Sequence, residues 1–373
     1  MKYAFWLAAA LVVYTYLGYA AWLRLRLLWR DRPVIRGAFT PFISIVMVVR
    51  NEEQALETKL QNLQALDYPQ DRSEIVVISD GSTDRTEEIL RAHADDPRIK
   101  VVMNQFSQGK ASSLNDAVAV AQGEVLVFTD VRQMIEPAAV RLLMENFADP
   151  DVGCASGELM LGDPLTGESG EGLGLYWRTE KLMRELESSS GSVVGATGAL
   201  YAVRGELMAN LPPGTILDDV YVPMNVVRRG SRVVFDQRAR AWDTPNLGAG
   251  REFWRKVRTL SGNYQLVQIA PWLLGGKNPI RFEFISHKLF RLAVPFALAV
   301  MLAASVMLRT PLYRVALFAQ AVFYALSAIS LTRLVQHGIL ARIAEAAGTF
   351  VMLNGAAVVA LANFLSGKRA AWR

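Results

Sequence analysis

An α/β sheet domain set between membrane-crossing helices is the architecture the sequence predicts, and three observations predict it. Long apolar runs stand at both ends of the 373-residue chain. Between them, short β-branched runs alternate with polar stretches of helical period, the pattern of a mostly parallel sheet. Most of the early runs end in clusters of Asn, Asp, Ser or Thr, at the carboxyl edge where open sheets of this kind hold ligands. Composition agrees. Hydrophobic residues make up 52% of the chain and charged residues 20%, below the roughly 25% charged of an ordinary soluble domain, and mean hydropathy is +0.20. A disordered or low-complexity chain is excluded. The net charge is +5, but many arginines flank the apolar runs instead of gathering on one domain face, so no nucleic-acid partner is expected. A single cysteine, Cys154, and three histidines leave little material for an internal disulfide or a Cys/His metal centre.

Taken in order, the first apolar run, 3–23, has the length of about 20 residues that a bilayer-crossing helix needs. Lys2 precedes it, and Arg24, Arg26, Arg30, Arg32 and Arg36 follow. By the positive-inside rule the N-terminus is outside and the following domain is cytoplasmic, at a cell (inner) membrane. Gly18-Tyr19-Ala20 would suit a signal peptidase, but the run is longer than a signal core and its upstream charge is minimal. Strands are expected at 42–49, 74–79, 99–103 and 125–129, with helices at 52–66, 84–94, 110–121 and 137–146 in the gaps. A strand at 154–161, a helix at 172–188, a strand at 200–204, a helix at 220–229 and a strand at 232–235 follow. The segment 253–274 mixes Trp254, Val257, Leu260 and Trp272 with Arg255, Lys256 and Arg258, as a helix lying on a membrane surface does. Apolar stretches at 289–308, 312–335 and 343–365, broken at Arg309-Thr310-Pro311 and Gln336-His337-Gly338, bring the crossings to four. The expected division is therefore 1–24 anchor, 41–250 domain, 251–288 interfacial segment and 289–366 membrane helices. Three crossings from the cytoplasm leave Lys368, Arg369 and Arg373 outside, against the charge rule, so either the tail is an exception or one stretch lies in the interface.

The motifs sit at the strand ends. The first strand ends in Arg50-Asn51-Glu52-Glu53, the second in Ser79-Asp80-Gly81-Ser82-Thr83-Asp84, and the fourth in Thr129-Asp130-Val131-Arg132. Each alone could be no more than a helix N-cap. No G-x-G-x-x-G follows the first strand and no Walker lysine loop is present, which sets dehydrogenase and P-loop chemistry aside. Asp80 offers a carboxylate to a base or ribose, Lys110 a cation to phosphate, and Asp130 a carboxylate to a metal or sugar. That set suits a nucleoside diphosphate held without a glycine cradle.

At these residues the chain resembles the family 2 glycosyltransferases, the inverting GT-A enzymes that include cellulose, chitin, hyaluronan and poly-N-acetylglucosamine synthases. The similarity covers about 42–265, and the flanking apolar runs match the family's integral-membrane branch. The segment 43–53 resembles the first strand and its Y-N-E-E turn, with Arg50 at the aromatic position and Glu52 at a glutamate. Asp80 matches the aspartate that contacts uracil, with Ser79 where the usual D-D-G has its first aspartate. Lys110 to Asn115 resembles the K-x-x-x-L-N segment whose lysine faces the nucleotide. The family's D-x-D appears as Asp130-Val131-Arg132, so Asp130 is the implied metal carboxylate and an arginine replaces its partner. Thr215-Ile216-Leu217-Asp218-Asp219 matches the T-E-D segment, with Asp219 as the implied base and Asp218 beside it; a neighbouring carboxylate in a shielded pocket raises the pKa of a base. Gly195-Ala196-Thr197-Gly198 resembles the acceptor segment, in which Gly195, Thr197 and Gly198 let sugar approach the backbone. Arg255-Lys256-Val257-Arg258-Thr259 sits where the family has Q-x-x-R-W. Arg258 is suited to grip the departing diphosphate, Arg255 replaces the glutamine, and Thr259 replaces the tryptophan that stacks on the acceptor.

The resemblance implies a GT-A domain, Rossmann-like with a mostly parallel sheet, carried by a multi-pass membrane protein of polysaccharide biosynthesis. It implies a nucleotide-sugar donor, UDP-linked, a divalent cation (Mg²⁺ or Mn²⁺) held less firmly than usual because of Arg132, and a growing polysaccharide or lipid-linked glycan as acceptor. The rival reading is a non-catalytic nucleotide-sugar-binding scaffold of a polysaccharide machine.

Overall fold

The computed structural model describes residues 1–162, 174–243, 249–332 and 338–367. Helix α1 (Lys2–Val13) passes through a π turn (Tyr14–Gly18) into α2 (Tyr19–Leu27). The domain then runs β1 (Ile43–Val49), α3 (Leu56–Gln64), β2 (Ser73–Asp80), α4 (Thr86–Ala92), β3 (Ile99–Asn104), α5 (Lys110–Val120) and β4 (Val125–Phe128). Its second half is β5 (Met134–Ile135), α6 (Ala139–Glu145), β6 (Val152–Leu161), α7 (Gly174–Ser190), β7 (Tyr201–Arg204), α8 (Asp218–Arg228) and β8 (Arg232–Asp243). Then come α9 (Ala249–Ile269), α10 (Arg281–Phe284), a second π turn (Ile285–Leu289), α11 (Phe290–Met307), α12 (Pro311–Thr332) and α13 (Gly338–Leu365).

The strands form one sheet in the order β3-β2-β1-β4-β7-β6-β8-β5. The first four are parallel, and β7 runs antiparallel to both β4 and β6. Every residue of β1 is buried, because a central parallel strand is covered on both faces and therefore reads as an unbroken apolar run. Ile45, Met47 and Val49 enter one core layer, and Val46 and Val48 the opposite one. Leu56, Leu60 and Leu63 of α3 fill the first layer; their spacing of four and three places them on one helical face.

The sequence reading stops β8 at 235, but the strand continues to Asp243. The polar Asp236-Gln237-Arg238 that suggested an end is carried by a register shift against β6, where Asp236 accepts from both Arg238 and Asn146. A Cβ on Gly157 of β6 would lie 2.6 Å from the Ala239 carbonyl, so that irregularity requires glycine. The two-residue β5 was not expected.

Two boundaries at the membrane also move. The helix expected from 289 begins at Arg281, so His287, Lys288 and Arg291 lie on its domain-proximal turns. The segment expected to lie on a membrane surface forms α9 and the turn after it, which bridge the domain and α13. Leu266, Ala270 and Leu273 belong to the domain core, whereas Val257 packs on Ala356 and Ala360 of α13 and Tyr264 stacks on Phe364, with ring centroids 5.6 Å apart. The C-terminal end of α13 is thus held beside the domain. Four helices, Lys2–Leu27, Arg281–Met307, Pro311–Ser330 and Gly338–Leu365, are long and apolar enough to cross a membrane. The first two run antiparallel, joined by Phe5 with Ala304 at one end and by the Arg26–Glu283 ion pair at the other. Gly172, Gln336, His337, Lys368, Arg369 and Arg373 lie outside the described residues.

Candidate active site

Three loops at the carboxyl ends of β1, β2 and β4 form the floor of the site. Asn51 holds a left-handed backbone at φ 53, and its side-chain oxygen accepts from the Thr83 N–H at 2.8 Å. The Glu52 N–H donates to Thr86 Oγ1 at 2.9 Å and the Arg85 N–H to Glu53 Oε2 at 3.0 Å, so the first two loops are laced together. Asp80, fully buried, accepts from Ser107 Oγ (2.6 Å), the Gln108 N–H (2.8 Å), the Gly109 N–H (3.0 Å) and Ser113 Oγ (2.8 Å). Burial works against its charge, but these bonds outweigh it and hold the carboxyl below its usual range. Gly81, at φ 63, lets the loop pass: a Cβ there would sit 2.5 Å from the Ser107 nitrogen. In the structure, then, Asp80 fixes the loop that leads to Lys110, and both of its oxygens are engaged within the chain.

Lys110 opens α5 behind Gly109, which is at φ 88. Its Nζ lies 2.9 Å from Asp130 Oδ1 and 3.4 Å from Asp218 Oδ2. Burial disfavours its charge, but Asp130 and Asp218 more than compensate and raise its pKa. Asp218 and Asp219 occupy the first turn of α8, where the positive end of a helix stabilises carboxylates. The Asp219 carboxyl is nevertheless pushed up to about 6, by burial first and Asp218 second, with Lys110 and Lys288 opposing. The 195–198 segment wraps this residue. The Ala196 N–H donates to the Asp219 carbonyl at 2.7 Å with Gly195 at φ 87, and a Cβ on Gly198 would lie 3.4 Å from Asp219 Oδ2 and 3.7 Å from Asp130 Oδ2. Asp130, Asp218, Asp219, Lys110 and Gly198 therefore meet at one point, drawn from β4, α5, α8 and the loop before β7.

The other candidates are less concentrated. Arg132 pairs with Glu52 at 3.2 Å, which ties the altered D-x-D turn to the β1 loop. Arg255 pairs with Glu252 at 2.7 Å and reaches Asp243 at 3.8 Å. Arg258 is half-buried on the same helix, and Arg50 is half-buried at the end of β1.

Sequence reasoning missed several residues of the site. Lys59 of α3 is fully buried beneath the Asp130 turn, donating to Thr129 Oγ1 at 3.0 Å and to the Gln133 carbonyl at 2.5 Å. Burial pushes its pKa down to about 7, with Asp130 opposing. In sequence it is one more helical lysine, and only its place on the apolar face beside Leu56, Leu60 and Leu63 sets it apart. From α7, Arg184 donates to Thr197 Oγ1 and Glu187 accepts from the Val194 N–H at 3.1 Å, so this helix holds the 194–198 segment. Tyr201 stacks on Phe128, centroids 4.8 Å apart, and its buried hydroxyl has no hydrogen-bond partner among the described residues.

No group of three or more His, Cys, Asp or Glu side chains that could hold a metal ion occurs among the described residues. The donor set fits a hard divalent ion that arrives with phosphate. Lys110 covers Asp130 Oδ1 while Oδ2 faces Gly198, and Mg²⁺-type sites commonly take one or two carboxylates and complete their shell with phosphates and water.

The glycosyl transferase family 2 model matches residues 44–203. The poly-β-1,6-N-acetyl-D-glucosamine synthase of Staphylococcus aureus (strain COL) is 24% identical over 236 residues, 60% of this chain and 55% of that one. The chain therefore spans about half the length of that relative. The β-monoglucosyldiacylglycerol synthase of a Synechocystis strain is 34% identical over 116 residues, 30% of this chain and 24% of that one. Among solved structures, a mannosyltransferase from Pyrobaculum calidifontis in complex with GDP-Man and Mn²⁺ aligns with a TM-score of 0.74 at 22% identity, covering 98% of this chain and 99% of that one. This likeness shows the fold: a GT-A-like α/β core with long apolar helices at both ends. Fold, family match and motif order agree: residues 44–203 carry a glycosyl transferase family 2 domain within a GT-A-like fold.

Proposed function

We propose that this protein is a membrane-embedded inverting glycosyltransferase, moving a sugar from a nucleotide sugar to a growing polysaccharide or a lipid-linked glycan. The observation that carries the reading is the Asp219 carboxyl. Held near 6 beside Gly198, it is ionised at neutral pH and still basic enough to accept a proton. The acceptor hydroxyl lies over Gly198, loses its proton to Asp219, and its oxygen bonds to the anomeric carbon. The bond from that carbon to the phosphate oxygen breaks on the opposite face, and the nucleoside diphosphate leaves with the electron pair. Lys110 and Arg258 meet the charge that builds on it, and Arg50, Glu52 and Arg255 border the donor. Asp130 would hold a divalent ion that arrives with the donor, and that ion would supply Lewis-acid neutralisation of the diphosphate. Asp80 shapes the nucleotide pocket through the 107–113 loop, while Gly195, Thr197 and Gly198 form the acceptor floor.

The arginines in the last turn of α2 and just beyond it support a cytoplasmic side for the domain. The end of α13 is held beside the domain by α9, which supports the same side for that end, with one of the four apolar helices lying in the interface instead of crossing. A C-terminal tag that labels from outside intact cells would refute this placement.

The transfer reading is tested with protein in phosphatidylcholine nanodiscs, given radiolabelled UDP-sugars and, because the matched mannosyltransferase carries GDP-Man, GDP-sugars as well. Transfer of label from one donor to an extractable glycan or lipid supports it. Nucleotide binding without consumption of any donor would favour the scaffold instead.

A further inference from the structure

The Asp130 turn rests on a lysine to which the transfer chemistry above gives no part. Lys59 is fully buried on the face of α3 that also buries Leu56, Leu60 and Leu63, where lysine is among the rarest of residues. A departure of that kind from an apolar face is expected at functional sites. The Lys59 Nζ donates to Thr129 Oγ1 at 3.0 Å and to the Gln133 carbonyl at 2.5 Å. These two residues bracket Asp130, Val131 and Arg132, so one ammonium closes the base of the turn.

Both partners pass the contact on. The Thr129 hydroxyl donates to the Ala199 carbonyl at 2.9 Å, next to Gly198, where an added Cβ would stand 3.7 Å from Asp130 Oδ2. The Gln133 side-chain amide donates to Asp243 Oδ2 at 3.2 Å, and Asp243 lies 3.8 Å from Arg255 of α9. Lys59 thus stands where the turn after β4, the segment before β7 and the helix carrying Arg255 and Arg258 are joined. The turn has other anchors for its stability. Three residues along α3, the Asn62 side chain donates to the Ile135 carbonyl and accepts from the Ile135 N–H, both at 2.9 Å, and Val131 and Ile135 are buried in the same core layer as the α3 leucines. An apolar chain of similar volume in place of a buried charge is often neutral or stabilising. What the ammonium adds is the placement of the backbone on either side of Asp130.

We propose that Lys59 is a positioning residue for transfer: by holding Thr129 and Gln133 together it sets the Asp130 carboxylate, which meets the divalent ion and the diphosphate, at a fixed distance from the Gly198 floor where the acceptor hydroxyl is placed. The proposal rests on the transfer reading above. Lys59 touches no reacting atom and acts through the turn alone. Misplacement by about 1 Å in such a constellation costs on the order of 10²-fold in rate, so a support this far below the chemistry still matters to it.

The test uses the full chain in phosphatidylcholine nanodiscs and measures UDP and GDP affinity in EDTA and then in Mn²⁺, together with the melting temperature. In wild type Mn²⁺ is expected to tighten binding of at least one nucleotide. Lys59→Met should keep the affinity in EDTA within about twofold, because the loops around Asp80 are held by their own bonds. It should cut the gain from Mn²⁺ by about tenfold, the scale of one charge-assisted hydrogen bond, and melt at or above the wild-type temperature. Direction separates the causes. Were Lys59 only a nearby positive charge, its removal would enlarge the gain from Mn²⁺; were it only structural, melting temperature and affinity in EDTA would fall together. Either result, or an unchanged gain, would overturn the proposal. Thr129→Val keeps the shape of the side chain and removes the hydroxyl, so it should lose part of the same gain, and the double variant should lose no more than Lys59→Met alone. Losses that simply add would also overturn the proposal. A wild type in which Mn²⁺ tightens neither nucleotide would sink Asp130 as the metal carboxylate and the proposal with it, whereas a failure confined to the variants leaves the transfer reading standing.

Discussion

The two halves of the site satisfy their polar groups in different ways. On the donor side the chain completes itself: Asp80 has four donors, Asn51, Glu53 and Thr86 lace neighbouring loops, and Arg132 closes on Glu52. On the proposed acceptor side it does not. Gly198 brings bare backbone to Asp219 and Asp130, where a Cβ would only just reach contact at 3.4 and 3.7 Å, and the Tyr201 hydroxyl has no partner among the described residues. The difference teaches that the proposed donor pocket is pre-shaped by short loops, whereas on the proposed acceptor side polar groups are left for a substrate to satisfy. Pre-shaping of this kind lowers the ordering cost of binding, and an incomplete polar pattern favours the partner that completes it.

The most severe way to break the contrast is Asp219→Asn, which keeps the shape of the side chain but cannot take a proton. Turnover is expected to fall by roughly 10²–10⁴-fold while nucleotide affinity moves by no more than a few-fold. If more than about a tenth of the turnover survives, the base lies elsewhere.

Asp80→Ala attacks the self-completed half. It leaves the Ser107, Ser113, Gln108 and Gly109 donors without their acceptor, and a buried donor left unsatisfied costs about 1–3 kcal/mol. Titration with UDP and GDP should show nucleotide binding weakened by about tenfold or more, together with a lower melting temperature. Unchanged affinity for both would show that the 107–113 loop holds its shape without Asp80.

Gly198→Ala probes the open half more gently. The new methyl meets nothing closer than 3.4 Å, so the fold should tolerate it, but it fills the gap where the acceptor hydroxyl is placed. The expected result is a KM for acceptor raised by several-fold, in line with the roughly 1 kcal/mol order of a small steric change, with nucleotide affinity unmoved. An effect on nucleotide affinity instead would shift Gly198 to the donor side.

The same contrast explains what could be read from the sequence. Asp80, Lys110 and Asp130 were legible as candidates because each stands just after an apolar run whose period announces a strand or in the first turn of a helix. The parallel half of the sheet was legible for the same reason. Gly195, Thr197, Gly198, Asp218 and Asp219 were named from their motifs as well, but the residues that support them are drawn from afar. Arg184 and Glu187 come from a helix more than 50 residues on from Asp130, in a segment where a charged residue reads as solvated face. Lys59 was hidden differently: on an apolar helical face a single lysine looks like noise until the turn it supports is seen. The strand β8 was cut short because polar residues that satisfy one another across a bulge resemble a turn.

The smallest expected effect is also the most specific. In Asp218→Asn the neighbouring negative charge that helps raise Asp219 is removed, and Lys110, 3.4 Å from Asp218, loses one of the two carboxylates that hold it. Both changes favour the ionised form of Asp219, so its pKa falls from about 6. The base works when deprotonated, which makes activity rise with pH through that value, and kcat/KM reports the titration in the free enzyme. The acidic limb of kcat/KM, expected near pH 6 in wild type, should therefore move to lower pH in the variant, by less than about one unit at the effective dielectric of a partly open site. A matching stability change follows with its sign fixed. A carboxyl raised in the folded state contributes stability that is present at low pH and lost as pH rises through about 6, so the variant should lose less stability across pH 4–6 than wild type does. A limb that moves upward would mean that Asp218 is not acting on Asp219 as a neighbouring charge, and a wild type without a limb near 6 would remove Asp219 as the titrating base.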